Sequence, residues 1–291
     1  MSPRTREQVV RLCKLLAGPE EYRWLDRIGV RDLGLGYDRF GFEKESAALA
    51  YLFLRLVYKY WFRVESEGHH NIPRVGRCIL VGNHGGLLPW DASMMCVDAL
   101  CRLHPPRMVR AIVDHFVATL PFLNVIFARC GQVIGARQNF RELLQGEELI
   151  LVFPEGTKGI GKPYWDRYRL RPFRVGFVEM ALQYKSPIVP VSFIGPDDQA
   201  PIVVSFDGVS QSLGVPFVPV TPTFPWLGLA GLLPYPVKYR IQYGEPIHFY
   251  REYGKDAALD PRLVEELASR VREKVQDMVD AGLKRRTGVF V

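Results

Sequence analysis

Short apolar runs that end in turns containing glycine or proline constrain the fold of this chain more than any other feature. Three such runs occupy residues 78–81, 149–153 and 188–194, and each is too short for a buried helix. Longer stretches between and around them are typical of helices, including 92–100 and 172–184. Strands that alternate with helices predict an α/β fold, a single domain with a mixed, largely parallel sheet flanked by helices. In such sheets the functional side chains lie on loops at the strand ends.

The turn after the first of these strands carries a histidine and an aspartate. It runs Asn83-His84-Gly85-Gly86-Leu87-Leu88-Pro89-Trp90-Asp91, so that His84 ends the strand and Asp91 lies where the next helix should begin. A neutral imidazole needs a second group to fix its tautomer and to stabilise the cation when it takes a proton. If the turn folds Asp91 back onto His84, the pair could activate a hydroxyl for acyl transfer. The alternative is a structural turn in which Asp91 only caps a helix.

Composition limits the partners rather than the fold. The 291 residues, 48% of them hydrophobic, suffice for one large domain or two small ones. A net charge of +7 without a nucleic-acid motif indicates anionic lipid, phosphate or a carrier cofactor as partners, or ordinary solubility. Five cysteines with no CxxC pair are typical of reduced thiols in a cytosolic protein, and the first residues predict no signal peptide.

Residues 47–64 predict an amphipathic N-terminal helix. Arg55, Lys59 and Arg63 recur every four residues and fall on one side, whereas the rest is apolar, with Trp61 near one end. Three cations argue against a spanning helix and favour one that lies in the membrane interface. The alternative is a helix packed in the core with its cations extended to solvent.

Two later segments are also unusual. Residues 213–235 are rich in proline, almost uncharged and centred on Trp226, so they could enter the core, line an acyl-chain tunnel or contact a membrane. Residues 158–174 carry six cations, from Lys158 to Arg174, against one acid. This basic flank could bind a phosphate or a carrier, or it could be a solvated loop.

Four segments taken together resemble the glycerophospholipid acyltransferase family, typified by bacterial 1-acylglycerol-3-phosphate acyltransferases. They are similar in order and spacing over roughly residues 64–250. The segments are His84 with Asp91, the predicted strand 131–137 that ends in Arg137, Phe153-Pro154-Glu155-Gly156-Thr157, and Ile188-Val189-Pro190-Val191. The resemblance implies an O-acyltransferase domain over 65–291, preceded by a helical membrane-docking segment over 1–64. It also implies an acyl-CoA or acyl-carrier-protein donor, no other cofactor, no metal, and a peripheral or monotopic position on the cytoplasmic membrane face.

The resemblance also assigns roles to residues. His84 would be the general base and Asp91 its orienting partner, while Pro190 would help to shape the site. The predicted substrate-binding residues are Arg137, Glu155, Gly156, Thr157, Lys158 and Arg174. The predicted membrane contacts are Arg55, Lys59, Trp61, Arg63 and Trp226.

Two departures from the family pattern bear on the acceptor. Six residues separate His84 from Asp91 where the family has four, and Lys158 stands where many members carry arginine. Arg137 and the basic flank favour a phosphorylated acceptor such as lysophosphatidate. The longer spacing and the apolar 213–235 segment favour a neutral one, namely mono- or diacylglycerol or an alcohol. A lipid-binding protein without catalysis is the alternative of another class.

Overall fold

The computed structural model describes residues 3–32, 34–206 and 217–291. The helices of these ranges are α1 Pro3–Ala17, α2 Arg23–Arg27, α3 Lys44–Leu56, α4 Trp90–Arg102, α5 Leu123–Arg129, α6 Arg137–Gln145, α7 Thr157–Ile160, α8 Gly176–Tyr184, α9 Phe249–Glu252 and α10 Pro261–Arg285. The strands are β1 Glu65–Glu67, β2 Cys78–Gly82, β3 Val109–Val113, β4 Val133–Ile134, β5 Leu149–Val152, β6 Ile188–Ile194, β7 Val204–Phe206, β8 Val218–Val220 and β9 Arg240–Tyr243.

Seven of the strands in the described ranges form one sheet, in the order β1-β9-β6-β2-β5-β3-β4. The strands from β6 to β4 are parallel, whereas β9 pairs antiparallel with β6 and parallel with β1. Parallel neighbours require crossover connections, which the intervening helices supply. The sheet is therefore mixed and largely parallel, as the alternating sequence pattern predicts.

Helices cover both faces of this sheet, which gives the molecule two hydrophobic cores. Successive residues of β2 alternate between them: Cys78 and Leu80 face the layer that contains α4, and Ile79 and Val81 face the layer with α6, α8 and α10. A strand that is buried on both faces must be apolar at every position, which explains the uninterrupted runs in the sequence. The predicted docking segment 1–64 contributes buried side chains to the first of these cores.

The parallel strands all end at one edge of the sheet, and the turns that follow them meet there. The turn after β2 carries His84, the turn after β3 carries Asp114, and the turn after β5 carries Glu155. At the end of β4 the chain enters α6, whose first residue is Arg137. In open α/β sheets this edge is where ligands bind.

Several predicted elements differ from the observed ones. The helix predicted over 47–64 begins at Lys44 and ends in a π-helical turn, Val57–Trp61, after which Arg63 adopts a positive φ of 45°. The strand predicted over 131–137 is only β4, because Arg137 already begins α6. Residues 213–216 of the predicted apolar segment lie outside the described residues.

None of the helices in the described parts of the chain is both long and apolar enough to cross a bilayer.

Candidate active site

A cavity of about 410 Å³ opens at the edge of the sheet where the parallel strands end. Its walls are mainly apolar, with side chains of β5, α6 and α8 such as Phe140, Phe177 and Met180. His84 lies in its wall, and two arginines, Arg137 and Arg174, also line it. An apolar cavity with a few convergent polar groups is the usual form of a small-molecule site.

His84 and Asp91 are in direct contact despite their six-residue separation. His84 Nδ1 lies 2.5 Å from Asp91 Oδ2, and Asp91 is fully buried at the start of α4. Because a carboxylate oxygen only accepts hydrogen bonds, Nδ1 carries the proton and Nε2 is the nitrogen left with a free lone pair. Asp91 also accepts from the backbone N–H groups of Gly85 and Ala92, which fixes its orientation.

The two glycines of the turn make this contact possible. Gly86 has a φ of +78°, and a Cβ on it would lie 1.9 Å from Gln199 Nε2. A Cβ on Gly85 would lie 2.1 Å from Asp197 Oδ1. The turn thus passes too close to the residues after β6 for any side chain, and this tight path returns Asp91 to His84.

An aromatic ring and a helix both pack against His84. The rings of His84 and Phe153 are stacked, with centroids 4.2 Å apart and planes inclined by 11°. Helix α7 packs directly against the histidine, because a Cβ added to Gly159 of this helix would lie 3.1 Å from His84 Cβ. The site is therefore preorganised around His84 before any substrate binds.

Glu155 does not line the cavity, contrary to the role the resemblance implies for it. It is 2% exposed and accepts hydrogen bonds from the backbone N–H groups of His84 and Arg171. It also pairs with the buried ammonium of Lys162 at 3.4 Å. Glu155 therefore anchors the turn after β5 to the turn after β2, because a buried carboxylate is stable only when its oxygens are satisfied. The N–H groups of His84 and Gly85 are both occupied by carboxylates and cannot serve a developing oxyanion.

Lys162 is shared by a second buried carboxylate, that of Asp197, at 3.7 Å. Burial raises the pKa of Asp197 to about 6, although Lys162 and the backbone N–H of Tyr168 act in the opposite direction. Lys162 is thus a buried structural cation and not part of a solvated basic flank.

The two arginines at the cavity each have a carboxylate partner. Arg137, at the start of α6, forms an ion pair with Glu179 of α8. Arg174 lies 3.8 Å from Asp114, and its guanidinium covers Gly156. Both arginines are 69% exposed, so a bound ligand can reach either one.

The remaining predicted site residues divide into two groups. Gly156 and Thr157 line the cavity, and Gly156 needs its positive φ of 60° for the turn into α7. Lys158 is exposed and Pro190 is buried, and neither is in the cavity wall. Pro190 lies inside β6 beside Val81, so any effect on the site passes through the sheet.

Three residues near the site were not predicted from the sequence. Asp114 and His115 line the cavity directly after β3, and polar residues that follow a short apolar run are a usable signal for such a position. Glu179 gave no such signal, because its partner Arg137 lies 42 positions away and only the packing of α6 on α8 brings them together.

An apolar surface lies outside the cavity on the N-terminal helices. The outward face of α3 and the following turn carries large apolar side chains at helical spacing, namely Leu49, Phe53, Leu56, Tyr60 and Trp61. Exposed apolar residues of α5, which packs against α3, extend this surface. We call these residues of α3, its turn and α5 the apolar face; exposed apolar groups at this density are unusual on a soluble surface.

The cations of the predicted membrane helix are not all on the apolar face. Arg55 falls on the same side of α3 as buried Tyr51 and Tyr58, and its Nε is buried. Arg63 donates hydrogen bonds to the carbonyl oxygens of Pro236 and Phe290. The prediction that these two arginines contact a membrane is therefore not supported, whereas Lys59 and Trp61 are exposed.

The described part of the predicted 213–235 segment adjoins the apolar face. Trp61 Nε1 donates a hydrogen bond to the carbonyl oxygen of Pro234 at 3.2 Å. Near this contact the segment exposes four large apolar side chains, those of Trp226, Leu227, Leu229 and Leu233. None of these four lines the cavity, which disfavours the tunnel-wall alternative for this part of the segment.

Comparison with known proteins identifies the family. A family described as Acyltransferase matches residues 63–194. An uncharacterized protein of Mycobacterium leprae is 40% identical over 256 residues, which cover 87% of this chain and 69% of that protein. A Bos taurus protein named DGAT1/2-independent enzyme synthesizing storage lipids is 25% identical over 228 residues, 76% of this chain and 60% of that protein.

A solved structure gives the same result for the fold. The Thermotoga maritima 1-acyl-sn-glycerophosphate acyltransferase PlsC matches with a TM-score of 0.56 and 18% sequence identity, over 97% of this chain and 99% of that one. Together with the family match and the 40% identical relative, this likeness agrees with the four sequence segments. The chain belongs to the glycerophospholipid acyltransferase family.

Proposed function

We propose that this acyltransferase moves a fatty acyl group from an acyl thioester to a hydroxyl of a glycerol lipid, with His84 as the general base. The observation that carries the proposal is the orientation of His84. Its Nδ1 is bound to fully buried Asp91, which leaves Nε2 as the free base in the wall of an apolar cavity. The donor in this proposal is acyl-CoA or acyl carrier protein.

The proton transfers of this reaction use His84 and Asp91. Nε2 takes the proton of the acceptor hydroxyl as its oxygen attacks the thioester carbonyl carbon. The carbon–sulfur bond of the tetrahedral intermediate then breaks, and the imidazolium returns the proton to the leaving thiolate. Asp91 stabilises the imidazolium between these steps, and the stack on Phe153 keeps the ring in place. The products are an ester and a free thiol.

We propose lysophosphatidate, or a related phosphorylated glycerol lipid, as the acceptor. Arg137 and Arg174 support this choice because both are exposed guanidinium groups in the wall of the cavity that contains His84. A guanidinium can bind a phosphate through two parallel hydrogen bonds, and two such groups would orient the acceptor relative to His84.

A neutral acceptor, such as monoacylglycerol, is the second candidate. The ion pairs of Arg137 with Glu179 and of Arg174 with Asp114 support it. Arginines that are paired with carboxylates attract a phosphate less strongly than unpaired arginines do. The bovine relative, whose name refers to storage lipids, is similar over three quarters of this chain.

We also propose that the apolar face contacts the cytoplasmic surface of a membrane as a peripheral or monotopic attachment. Phe53, Leu56 and Trp61 point outward, and α5 contributes both to this face and to the cavity wall. The segment around Trp226 adjoins the face through the Trp61–Pro234 contact and extends it. A lipid leaving the bilayer could thus enter the cavity without crossing water.

Thiol release from a long-chain acyl-CoA tests the proposal. Purified protein is mixed with the donor and with lysophosphatidate, monoacylglycerol or no acceptor. The His84→Ala variant should lose about 10²- to 10⁴-fold in kcat, because a general base typically contributes a factor of this size. The matched control is His70→Ala, which removes an exposed histidine outside the cavity.

Each outcome has a definite meaning. Release that requires lysophosphatidate supports the phosphorylated acceptor, and release that requires monoacylglycerol supports the neutral one. Release without any acceptor indicates a thioesterase. Full activity in His84→Ala would refute the assignment of His84. If no thiol appears with acyl-CoA or with acyl carrier protein, while the protein sediments with lipid vesicles, the non-catalytic lipid-binding alternative is correct.

A further inference from the structure

The ion pair between Arg137 and Glu179 joins two helices at the rim of the cavity. Arg137 is the first residue of α6 and lines the cavity that contains His84. Glu179 lies in the first turn of α8, and its side chain is 21% exposed against 69% for Arg137. The better buried partner is therefore the acid, and it holds the more exposed arginine at one side of the cavity mouth.

Glu179 itself does not line the cavity. Both residues line a neighbouring groove between α6, α8 and the start of α10. Among the described residues, only Arg137 lines both the groove and the cavity. Arg137 can therefore bind either the carboxylate in the groove or an anion in the cavity. A phosphate in the cavity must compete with a carboxylate that is already attached to the protein.

We propose that Glu179 is a specificity-determining residue that lowers the preference of this enzyme for phosphorylated acceptors by holding Arg137 in an ion pair. This inference rests on the proposed function, since it concerns the acceptor of the same acyl transfer. An uncharged acceptor needs no arginine and gains no advantage from breaking the pair. A phosphorylated acceptor must first displace the carboxylate of Glu179 from Arg137.

The variant that tests this proposal is Glu179→Gln, which keeps the size of the side chain and removes its charge. The chain offers a matched control in Glu142 of α6, which pairs with exposed Arg39 at 3.1 Å and is 16% exposed. Glu142→Gln therefore removes an equivalent ion pair that does not involve Arg137. Thermal unfolding of both variants checks that they fold.

The ratio of kcat/KM for lysophosphatidate to that for monoacylglycerol is measured with one acyl-CoA. Glu179→Gln should raise this ratio up to about fivefold through a lower KM for lysophosphatidate, because the competing partner of Arg137 is an exposed ion pair of this size. Glu142→Gln should leave the ratio unchanged. In an Arg137→Ala background, Glu179→Gln should have no effect on the ratio, because Glu179 acts through Arg137.

A binding measurement separates this inference from the proposed function. Dodecyl phosphate has no free hydroxyl to acylate, so its affinity for the protein does not depend on turnover. Glu179→Gln should bind it about fivefold more tightly than wild type does, with dodecanol unaffected. If no acceptor is acylated yet dodecyl phosphate behaves in this way, the proposed function fails, while the competition between Glu179 and a phosphate for Arg137 stands. An unchanged ratio and an unchanged affinity in Glu179→Gln, or an equal rise in the Arg137→Ala background, would overturn the inference.

Discussion

At the residue scale, the site depends on carboxylates that are buried for different reasons. Asp91 orients the imidazole, Glu155 ties two strand-end turns together, and Asp197 shares Lys162 with Glu155. Of these three, only Asp91 touches the side chain of His84. Substitutions at the three positions should therefore differ in effect: a change at Asp91 should alter catalysis, and a change at Asp197 should alter stability.

Replacement of Asp91 by asparagine should reduce kcat about 10³- to 10⁴-fold, as expected when a histidine base loses the partner that fixes its tautomer. An asparagine amide can donate to Nδ1, which then leaves the proton on Nε2, where it blocks base catalysis. KM for the acceptor should change little, because Asp91 lies behind the imidazole. Steady-state kinetics at pH 7 measures both constants. A higher KM with an unchanged kcat would contradict this role for Asp91.

Asp197 gives a prediction for stability as a function of pH. Burial raises its pKa from 3.8 to about 6, so between these values the folded protein holds a proton that the unfolded chain has released. The stabilising contribution of Asp197 is present below about pH 4 and is lost as pH rises through 6. Relative to wild type, Asp197→Asn should therefore gain up to about 3 kcal/mol in free energy of unfolding between pH 4 and pH 7. Urea unfolding at several pH values measures the difference, and a constant difference would refute the prediction.

At the element scale, the strands could be predicted from the sequence because a strand that is buried on both faces is apolar at every position. The runs that predict β2, β5 and β6 agree with the observed strands to within a residue at either end. Their carboxyl ends in turn predict where His84 and Gly156 should lie, and both do line the cavity. This part of the site could be predicted because strand direction and the turns are both local properties.

The remaining parts of the site depend on which side of an element faces inward, and residue type does not decide that. The cations predicted along one side of residues 47–64 do not share one environment, because Arg55 lies beside buried Tyr51 whereas Lys59 is exposed. Glu155 was expected at the substrate, but the backbone of His84, 71 positions away, binds it. Only the assembled fold defines such contacts, so the spacing of residues along the chain could not predict them.

The turn between β2 and α4 is an element whose path can be tested directly. Gly86→Ala should lower the free energy of unfolding by about 2 to 4 kcal/mol, because alanine is strained at a φ of +78° and its Cβ would overlap Gln199. Gly254→Ala is the matched control, since Gly254 has a φ of −70° and open space around it. Denaturant unfolding of both variants compares them. Equal stabilities would mean that the turn does not need its glycines.

At the scale of the whole molecule, helix α5 contributes to both the apolar face and the wall of the cavity. Leu123 and Phe127 of α5 line the cavity, while Val125 and Ile126 of the same helix are exposed on the face. The base and the arginines lie in the wall of the same cavity, where the parallel strands end. We infer that the molecule receives the apolar tail of its substrate from the membrane side and holds the polar end at the arginines.

The variant Leu56→Glu should separate membrane binding from catalysis when its activity is compared on a short-chain and a long-chain acceptor. Leu56 is exposed on the apolar face and does not line the cavity, so the new charge should weaken vesicle binding about tenfold or more by opposing apolar burial. Activity on a long-chain acceptor in vesicles should fall with it. Activity on a water-soluble, short-chain acceptor should stay within twofold of wild type, because the His84 site is unchanged.

Val75→Glu provides the control for that experiment. Val75 is also exposed and apolar, but it precedes β2 at the opposite edge of the sheet from the cavity. Both activities and vesicle binding should therefore match wild type. If Leu56→Glu loses the short-chain activity as well, the substitution has disturbed the site. If it loses neither activity, the membrane contacts the protein somewhere else.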